Sequence, residues 1–153
     1  MTPRILFRTL AIAEAITWTL LIAGMVIAYG FDGSRLGISI GGGLHGFVFL
    51  AYAVCVVVVA VNQRWHWGVT LTGLVSAIVP YATIPFDIWA DRTGRLDGGW
   101  RREAGDDPRD QRWVERMLRL ALARPVTTVV LGVVGVAVVF SALLVIGPPG
   151  GRS

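Results

Sequence analysis

Residues 38–61 read ISIGGGLHGFVFLAYAVCVVVVAV, and this stretch decides the fold of the chain. Its 24 residues include no Asp, Glu, Lys or Arg. An α-helix rises about 1.5 Å per residue, so about 20 apolar residues cross the hydrocarbon core of a bilayer. The stretch therefore predicts a membrane-spanning helix.

Three further runs share this apolar character, and they are residues 5–29, 68–89 and 126–146. The 153-residue chain is 54% hydrophobic and only 16% charged, whereas about a quarter of the residues in a soluble domain are charged. We therefore predict an all-α, polytopic transmembrane helical bundle of about four spans, without a soluble catalytic domain. A secretory signal peptide is the alternative for the first run, but its apolar core is too long and contains Glu14.

Composition divides the chain into three parts. Residues 1–95 form a predicted three-span membrane core. Residues 96–124 form an arginine-rich hydrophilic loop that ends in an amphipathic helix, and residues 125–153 form a fourth span with a short disordered tail. Residues 91–111 mix both charge signs with Gly and Pro, which predicts a mobile segment.

The amphipathic helix is predicted over residues 112–124. Arg112, Arg116 and Arg119 share one stripe of a helical wheel with Glu115, and apolar side chains cover most of the remaining surface. Such a wide apolar arc favours a helix that lies in the plane of the membrane surface, with these arginines contacting lipid headgroups. A short cytosolic helix with an ordinary solvated face is the alternative.

All 14 basic residues are arginines, and the formal net charge is +4. The arginines lie in the hydrophilic gaps between apolar runs, which favours anionic lipid headgroups over nucleic acid as their partner. Four spans would place both chain ends on one side of a bacterial inner (plasma) membrane and the long loop on the other. The count of basic residues then favours the cytoplasm for residues 91–124.

A polar cluster inside the first two spans is the first candidate site. Glu14 lies about 13 Å along its helix, and intramembrane carboxylates usually face a protein interior or water. His45 and Tyr52 share one face of the second span, and their depths bracket that of Glu14. Gly42 and Gly46 form a small-xxx-small pair, which lets helices approach closely. We therefore predict that the first two helices pack through these glycines and bury a Glu14–His45–Tyr52 cluster.

Simpler roles remain open for the same residues. Glu14 could be a boundary residue paired with an arginine, and His45 could bond to a backbone carbonyl. Haem normally needs a second axial ligand, whereas His66 lies in the link at the opposite surface from His45. Zinc is equally poorly served by Cys55 and two separated histidines. We therefore predict no cofactor and no metal site.

Two prolines mark the third predicted span. Pro80 and Pro85 remove backbone donors and kink helices, and Asp87 follows them near the predicted end of the span. This pattern favours a helix that ends at the membrane interface. A small polar vestibule opened by the kinks is the alternative.

A set of residues follows in order along the first three spans. They are Phe7-Arg8, Ala13-Glu14, Thr17-Trp18, Gly43-Leu44-His45-Gly46, Phe49, Tyr52, Pro80 and Pro85-Phe86-Asp87. This combination resembles a family of small bacterial, mostly actinobacterial, integral membrane proteins with a His-Gly dipeptide, which is known as a domain of unknown function. The resemblance covers about residues 4–95. It implies a membrane location and picks out Glu14 and His45, but it supplies no activity. The family usually carries Lys where Ala28 stands here.

A weaker resemblance links the chain to the small multidrug-resistance exporters, which also have four helices and a glutamate in the first. The greater length of this chain and its third span depart from that pattern.

The sequence contains no recognisable nucleophile–base pair, phosphate-binding glycine loop or pair of catalytic carboxylates. We therefore expect no enzyme, but a non-enzymatic accessory, assembly or partner-binding membrane subunit. Its expected partners are the lipid bilayer and either further copies of itself or a larger membrane complex. A small proton-coupled transporter or ligand-binding membrane protein that uses Glu14 is the alternative.

Overall fold

The computed structural model describes residues 1–146, so the tail predicted to be disordered lies outside the described residues. Within residues 1–146 the chain forms six α-helices and no strands. They are α1 (Pro3–Met25), α2 (Leu36–Gln63), α3 (Trp67–Ser76), α4 (Thr83–Arg92), α5 (Trp113–Ala123) and α6 (Pro125–Ile146). A π-helical turn, Val26–Gly30, continues α1, and a 3-10 turn, Pro108–Gln111, precedes α5.

Three helices are long and apolar enough to cross a membrane, namely Pro3–Gly30, Leu36–Gln63 and Pro125–Ile146. They correspond to the first, second and fourth predicted spans. The predicted amphipathic helix also forms, as α5. The predicted class, an all-α membrane bundle that crosses the bilayer several times, is therefore confirmed.

The third predicted span, residues 68–89, is not one continuous helix. It is divided into α3 and α4, which have ten residues each and are therefore about 15 Å long, half the thickness of the hydrocarbon core. Pro80 lies in the intervening turn, where Tyr81 adopts a left-handed conformation with φ of 64°. Pro85 lies in the first turn of α4, where a missing backbone N–H costs no helical hydrogen bond.

The pair α3–α4 folds back on itself as a hairpin. Its successive contacts pair Ala77 with Trp18, Thr83 with Ala11, Asp87 with Arg8, and Asp91 with Arg4. As the chain advances along the hairpin, its partners therefore step back towards the start of α1. The indole N–H of Trp65, just before α3, donates to the carbonyl of Arg95, just after α4, at 2.8 Å. Both ends of the hairpin thus lie on the side where α1 begins, which we call the amino-terminal side.

The hairpin changes the predicted topology. Because α3–α4 returns to the amino-terminal side, α6 starts there and runs antiparallel to α2, with Phe140 beside Phe47 at a ring separation of 6.4 Å. The prediction that the long loop lies opposite Arg4, Arg8 and Arg64 is therefore wrong. The predicted position of Asp87 at the far end of a third span is wrong for the same reason.

Glycines bring α1 and α2 into backbone contact. A Cβ built on Gly24 would lie 2.5 Å from the backbone carbon of Gly37. A Cβ on Gly41 would lie 3.0 Å from the backbone of Leu20 and Leu21. Small residues of this kind allow close approach of helices inside a membrane.

The predicted pair Gly42 and Gly46 plays a different part. Gly42 does face α1, but a Cβ there would make only ordinary contact, at 3.7 Å, with the side chain of Leu21. Gly46 faces Phe140 of α6, whose ring would lie 2.8 Å from an added Cβ. The closest α1–α2 contact is therefore made by Gly37 and Gly41, which touch the backbone of α1, and not by Gly42 and Gly46.

An aromatic cluster holds the hairpin against α1 and α2. Phe7 is fully buried, and its ring lies 5.5 Å from Tyr52, 5.8 Å from Trp65 and 5.9 Å from Phe86. Tilted and edge-on aromatic pairs at such distances add to the stabilisation that burial provides. The core of the protein therefore lies in the half of the bundle nearest the amino-terminal side.

The segment predicted to be mobile is tied to the end of α2. The Asn62 side chain donates to the carbonyl of Gly99 and accepts from the amide of Arg101, at 3.1 and 2.9 Å. The Arg64 guanidinium bonds to Asp107 and Asp110. These contacts join the loop and α5 to the amino-terminal side of the bundle.

A buried polar site between α1, α2 and the hairpin

The structure brings Glu14 of α1 and His45 of α2 together. Glu14 is fully buried, and its Oε2 lies 3.7 Å from His45 Nδ1. The antiparallel helices match the two depths because each residue contributes the same rise. The hydroxyl of Thr17 lies 3.4 Å from the same ring nitrogen of His45 and donates to the Glu14 carbonyl at 3.0 Å.

Aromatic side chains enclose the histidine. The Trp18 ring lies 4.3 Å from the His45 ring, and the Phe49 ring lies 6.2 Å from it on the same face of α2. Only 12% of the His45 side chain is exposed. The imidazole is therefore held in one orientation, with Nδ1 turned towards α1.

Tyr52 is fully buried, but it bonds to the hairpin rather than to Glu14. Its hydroxyl lies 3.1 Å from that of Ser76, which donates to the Gly73 carbonyl at 2.7 Å. Ser76 ends α3, so this contact fixes the inner end of the hairpin. Ser76 was missed in the sequence because a serine in an apolar run carries no signal of its partner.

Neither carboxylate oxygen of Glu14 has a hydrogen-bond partner among the described residues, and both are buried. An ionised carboxylate without hydrogen bonds is costly in a medium of low dielectric constant. This arrangement therefore requires Glu14 to bind a proton, or to be balanced by a charge on His45. The site can therefore hold a proton between α1 and α2.

A second polar layer connects the hairpin to the amino-terminal end of α1. Arg8 donates to Asp87 at 3.0 Å and to Asp91 at 2.7 Å, and Arg4 pairs with Asp91 as well. Both pairs of residues are spaced by four, so each pair occupies one face of a helix. This matched spacing was a signal in the sequence that α4 runs alongside the start of α1.

Asp87, which was predicted as an interfacial residue, is buried against α1. Its Oδ2 accepts from Arg8, whereas its Oδ1 is buried and has no partner among the described residues. The buried surface of α1 therefore has two polar contacts, one through Arg8 to the hairpin and one through Glu14 to α2.

Asp110 organises the loop at the amino-terminal side. It accepts hydrogen bonds from the Gly105 amide at 2.9 Å and from Arg64 at 2.6 Å. The hydrogen bond from the Gly105 amide and the charge of Arg64 hold the pKa of Asp110 below its usual value. Glu115, placed by the sequence on a polar stripe, is buried against Arg64 and Arg101.

The three arginines predicted to contact lipid headgroups occupy two environments. Arg112 and Arg116 are exposed, and Arg116 donates to the neighbouring Gln111 at 3.0 Å. Arg119 instead donates to the backbone carbonyl of Asp110 at 2.7 Å. Arg119 therefore belongs to the inner face of α5, which docks on the loop.

The fold and this site define a class, a small helical membrane protein with a broken hairpin packed on a two-helix core. Residues 5–92, which include α1 to α4, match the family described as Domain of unknown function (DUF3817). The chain belongs to this family, in agreement with the resemblance found in its sequence.

A similar curated protein is "Putative membrane protein SCO5905" of Streptomyces coelicolor, which is 45% identical over 98 residues. The match covers 62% of this chain but only 12% of the relative, so the relative is several times longer. No solved structure matches the chain. The chain is therefore a multi-pass membrane protein of a family whose activity is unknown.

Proposed function

We propose that this chain is a non-enzymatic membrane subunit that binds a helix of a partner membrane protein. The observation that carries the proposal is an open groove of about 310 Å³ between α2 and α6. It is lined by Leu50, Ala53, Val54, Gly132, Gly135 and Val139.

Glycines in this groove contrast with those between α1 and α2. A Cβ built on Gly132 or Gly135 would meet no atom of the described residues within 4 Å. Apolar exposure alone means little in a bilayer, because lipid tails are as apolar as the helix. Small residues that leave the backbone accessible are the feature that lets another helix pack closely.

The Streptomyces coelicolor relative supports the same proposal. Its matching region is a small part of a much longer protein, which is the arrangement expected of a membrane module that works together with other parts. Glu14 and Tyr52 are fully buried in the present conformation. Neither side chain meets a dissolved substrate there, which favours a binding role over catalysis.

The experiment is affinity purification after cross-linking in the native membrane. Gly135→Leu fills the groove and should remove the cross-linked partner. Gly43→Leu adds the same bulk at an open position of α2 that does not line the groove, and it should retain the partner. A wild-type chain that cross-links to no membrane protein, or equal loss in both variants, would contradict the proposal.

A second candidate function is proton-coupled transport through Glu14. The observation that favours it is the buried, unpartnered Glu14 carboxylate beside His45. Intramembrane ionisable residues of this kind often belong to proton relays.

Glu14→Gln separates the two candidates. In vesicles that contain the purified protein and a pH-sensitive dye, transport predicts that the variant assembles normally but loses proton flux. The partner-binding function predicts no protein-dependent flux in the wild type. Asp32→Asn, in the exposed turn after α1, is the matched control for removal of a carboxylate.

We also propose a bacterial plasma membrane as the location, with the amino-terminal side in the cytoplasm. Twelve of the 14 arginines lie on that side, and Arg35 lies on the other. The twelve are Arg4, Arg8, Arg64, Arg92, Arg95, Arg101, Arg102, Arg109, Arg112, Arg116, Arg119 and Arg124. Because arginine-rich segments near membrane helices remain in the cytoplasm, this asymmetry supports one orientation. The four-span topology had left the balance much closer.

A further inference from the structure

A cavity of about 400 Å³ lies between the end of α2, the start of α3 and α5. One part of its wall is apolar and includes Val57, Val61 and Trp65. Another part is formed by Arg64, Arg109 and Arg112. The cavity is therefore amphipathic, and it lies where two helices that begin or end at the membrane surface meet.

The depth of the two parts fits a membrane boundary. Arg64 follows the last residue of α2, whereas Val57 lies two turns further into the helix, about 10 Å deeper. Val57 is 47% exposed, so the apolar end of the cavity is open along the side of α2. A molecule with an anionic head and an apolar chain matches this order of surfaces.

The arginines in the polar part of the cavity wall are only partly neutralised by carboxylates. Arg64 bonds to Asp107 and Asp110, and Arg109 bonds to Asp107. Arg112 is exposed and has no ion pair among the residues that the structure describes. Its guanidinium is therefore available to a phosphate, which arginine binds with paired N–H donors.

We propose that this cavity binds one anionic phospholipid. Arg112 and Arg109 hold the headgroup phosphate, and an acyl chain lies along Val57 and Val61. Glu115 also lines the cavity, but its carboxylate is occupied by Arg64 and Arg101. The bound lipid would join α5 to α2 and would complete the amino-terminal side of the bundle.

The test is native mass spectrometry of the full chain in mild detergent, with added phosphatidylglycerol or phosphatidylcholine of identical acyl chains. The wild type should retain one phosphatidylglycerol in preference to phosphatidylcholine. Arg112→Gln should weaken retention roughly tenfold, as expected for one charged hydrogen-bonding group. Arg102→Gln removes the same charge from an exposed position outside the cavity, and it should leave retention unchanged.

Several other outcomes would overturn the proposal. Equal loss in the two arginine variants would overturn the proposal, because it would show attraction to surface charge in general. Equal retention of both lipids, or displacement of phosphatidylglycerol by millimolar inorganic phosphate, would overturn it too. Should Arg112→Gln fail to fold, Val57→Trp obstructs the apolar end and keeps every charge. Unchanged retention in a folded Val57→Trp variant would also contradict the site.

Discussion

The α3–α4 hairpin and α6 both begin on the amino-terminal side, but the hairpin returns to that side whereas α6 crosses the membrane. The hairpin contains polar residues, enters about halfway and returns, and Thr83 and Asp87 are buried in its contact with α1. Helix α6 is uninterrupted and crosses completely, and Val136 is its one buried residue in the described chain. The hairpin lies within the region that matches the family, whereas α6 lies outside it.

The difference shows what a broken helix requires inside a membrane. Backbone groups freed by the turn at residues 77–82 must be satisfied by protein, because lipid offers no hydrogen bonds. One of these groups, the Ala77 carbonyl, accepts from the indole N–H of Trp18. The Thr83 hydroxyl in addition donates to the Ala11 carbonyl and so attaches the hairpin to α1. Helix α6 satisfies its own backbone and therefore needs few partners.

The largest expected effect is on membrane topology, that is, on the side of the membrane where the hairpin and α6 each end. Reporters fused after Gly99 and after Ile146 should give opposite results, because the hairpin returns and α6 crosses. A fluorescent reporter should be active after Gly99, in the cytoplasm, and alkaline phosphatase should be active after Ile146. Four full spans with the long loop in the cytoplasm would give the same two results, so a third reporter is placed after Ser34, between α1 and α2. Alkaline phosphatase should be active there if α3–α4 is a hairpin, whereas four full spans predict the fluorescent reporter to be active there.

Cysteine labelling checks the same point without large fusions. Ser34→Cys should react with an impermeant maleimide added to intact cells, whereas Gly99→Cys should react only after lysis. The native Cys55 is buried and should contribute little background. Labelling of Gly99→Cys in intact cells would refute the proposed orientation, and labelling of both sites from one side would refute the hairpin.

Glycine substitutions should give the next largest effect and should separate the two regions clearly. Gly24→Leu forces a side chain into the backbone of Gly37, where even a Cβ would be only 2.5 Å away. We expect loss of folded, monodisperse protein, because no flexible side chain can yield. Gly132→Leu, at an open position of α6, should preserve the detergent-solubilised fold. Similar elution profiles for both variants would show that the α1–α2 contact is looser than described.

These contrasts explain how much could be predicted from sequence. Apolarity is a local property, so the spans over residues 38–61 and 126–146 were predictable. The meeting of Glu14 with His45 was also predictable, because two antiparallel helices of constant rise fix relative depth. The return of α4 was not, because prolines at 80 and 85 are equally compatible with a kinked span and a turn.

Contacts between residues that are far apart in the sequence were the other feature that could not be predicted. Gly46 was assigned to α1 although it faces Phe140, which is 94 positions later in the chain. Tyr52 was assigned to Glu14, although its hydroxyl is hydrogen-bonded to that of Ser76. In both cases the sequence identified a residue that packs against another helix but not which helix that is.

Aromatic truncation should show a smaller but measurable difference. Phe7→Ala removes the centre of a buried cluster with Tyr52, Trp65 and Phe86, and it should cost about 3–5 kcal/mol. Phe140→Ala in the loosely packed α6 should cost clearly less. Thermal unfolding in detergent measures both, and an equal decrease in Tm would mean that α6 is as firmly packed as the hairpin.

Removal of a single hydroxyl group should also lower stability more in the hairpin than in α6, but by less than the loss of an aromatic ring. Thr83→Val removes the hydrogen bond to the Ala11 carbonyl, which keeps its helical bond within α1, and should cost about 0.5–1.5 kcal/mol. Thr128→Val removes the bond to the partly buried Ala121 carbonyl near the start of α6. Its smaller expected decrease in Tm serves as the control, and a larger decrease for Thr128→Val would reverse the comparison.

The smallest effect should be a local pH response of the loop that links the two regions. The pKa of Asp110 is lowered in the folded protein by the Gly105 amide and by Arg64. Because the folded-state pKa is lowered, the ionised carboxylate stabilises the loop at any pH above the unfolded-state pKa of Asp110, which is near 3.8. This stabilisation is lost as the pH falls through the lower, folded-state pKa. Proteolysis within residues 93–112 by an acid-active protease should therefore accelerate at the acid end of that range.

Asp110→Asn should show the fast rate already at neutral pH, with a neutral-active protease, whereas Asp97→Asn, at an exposed position, should behave as the wild type. Equal rates for Asp110→Asn and the wild type at neutral pH would show that Asp110 does not anchor the loop.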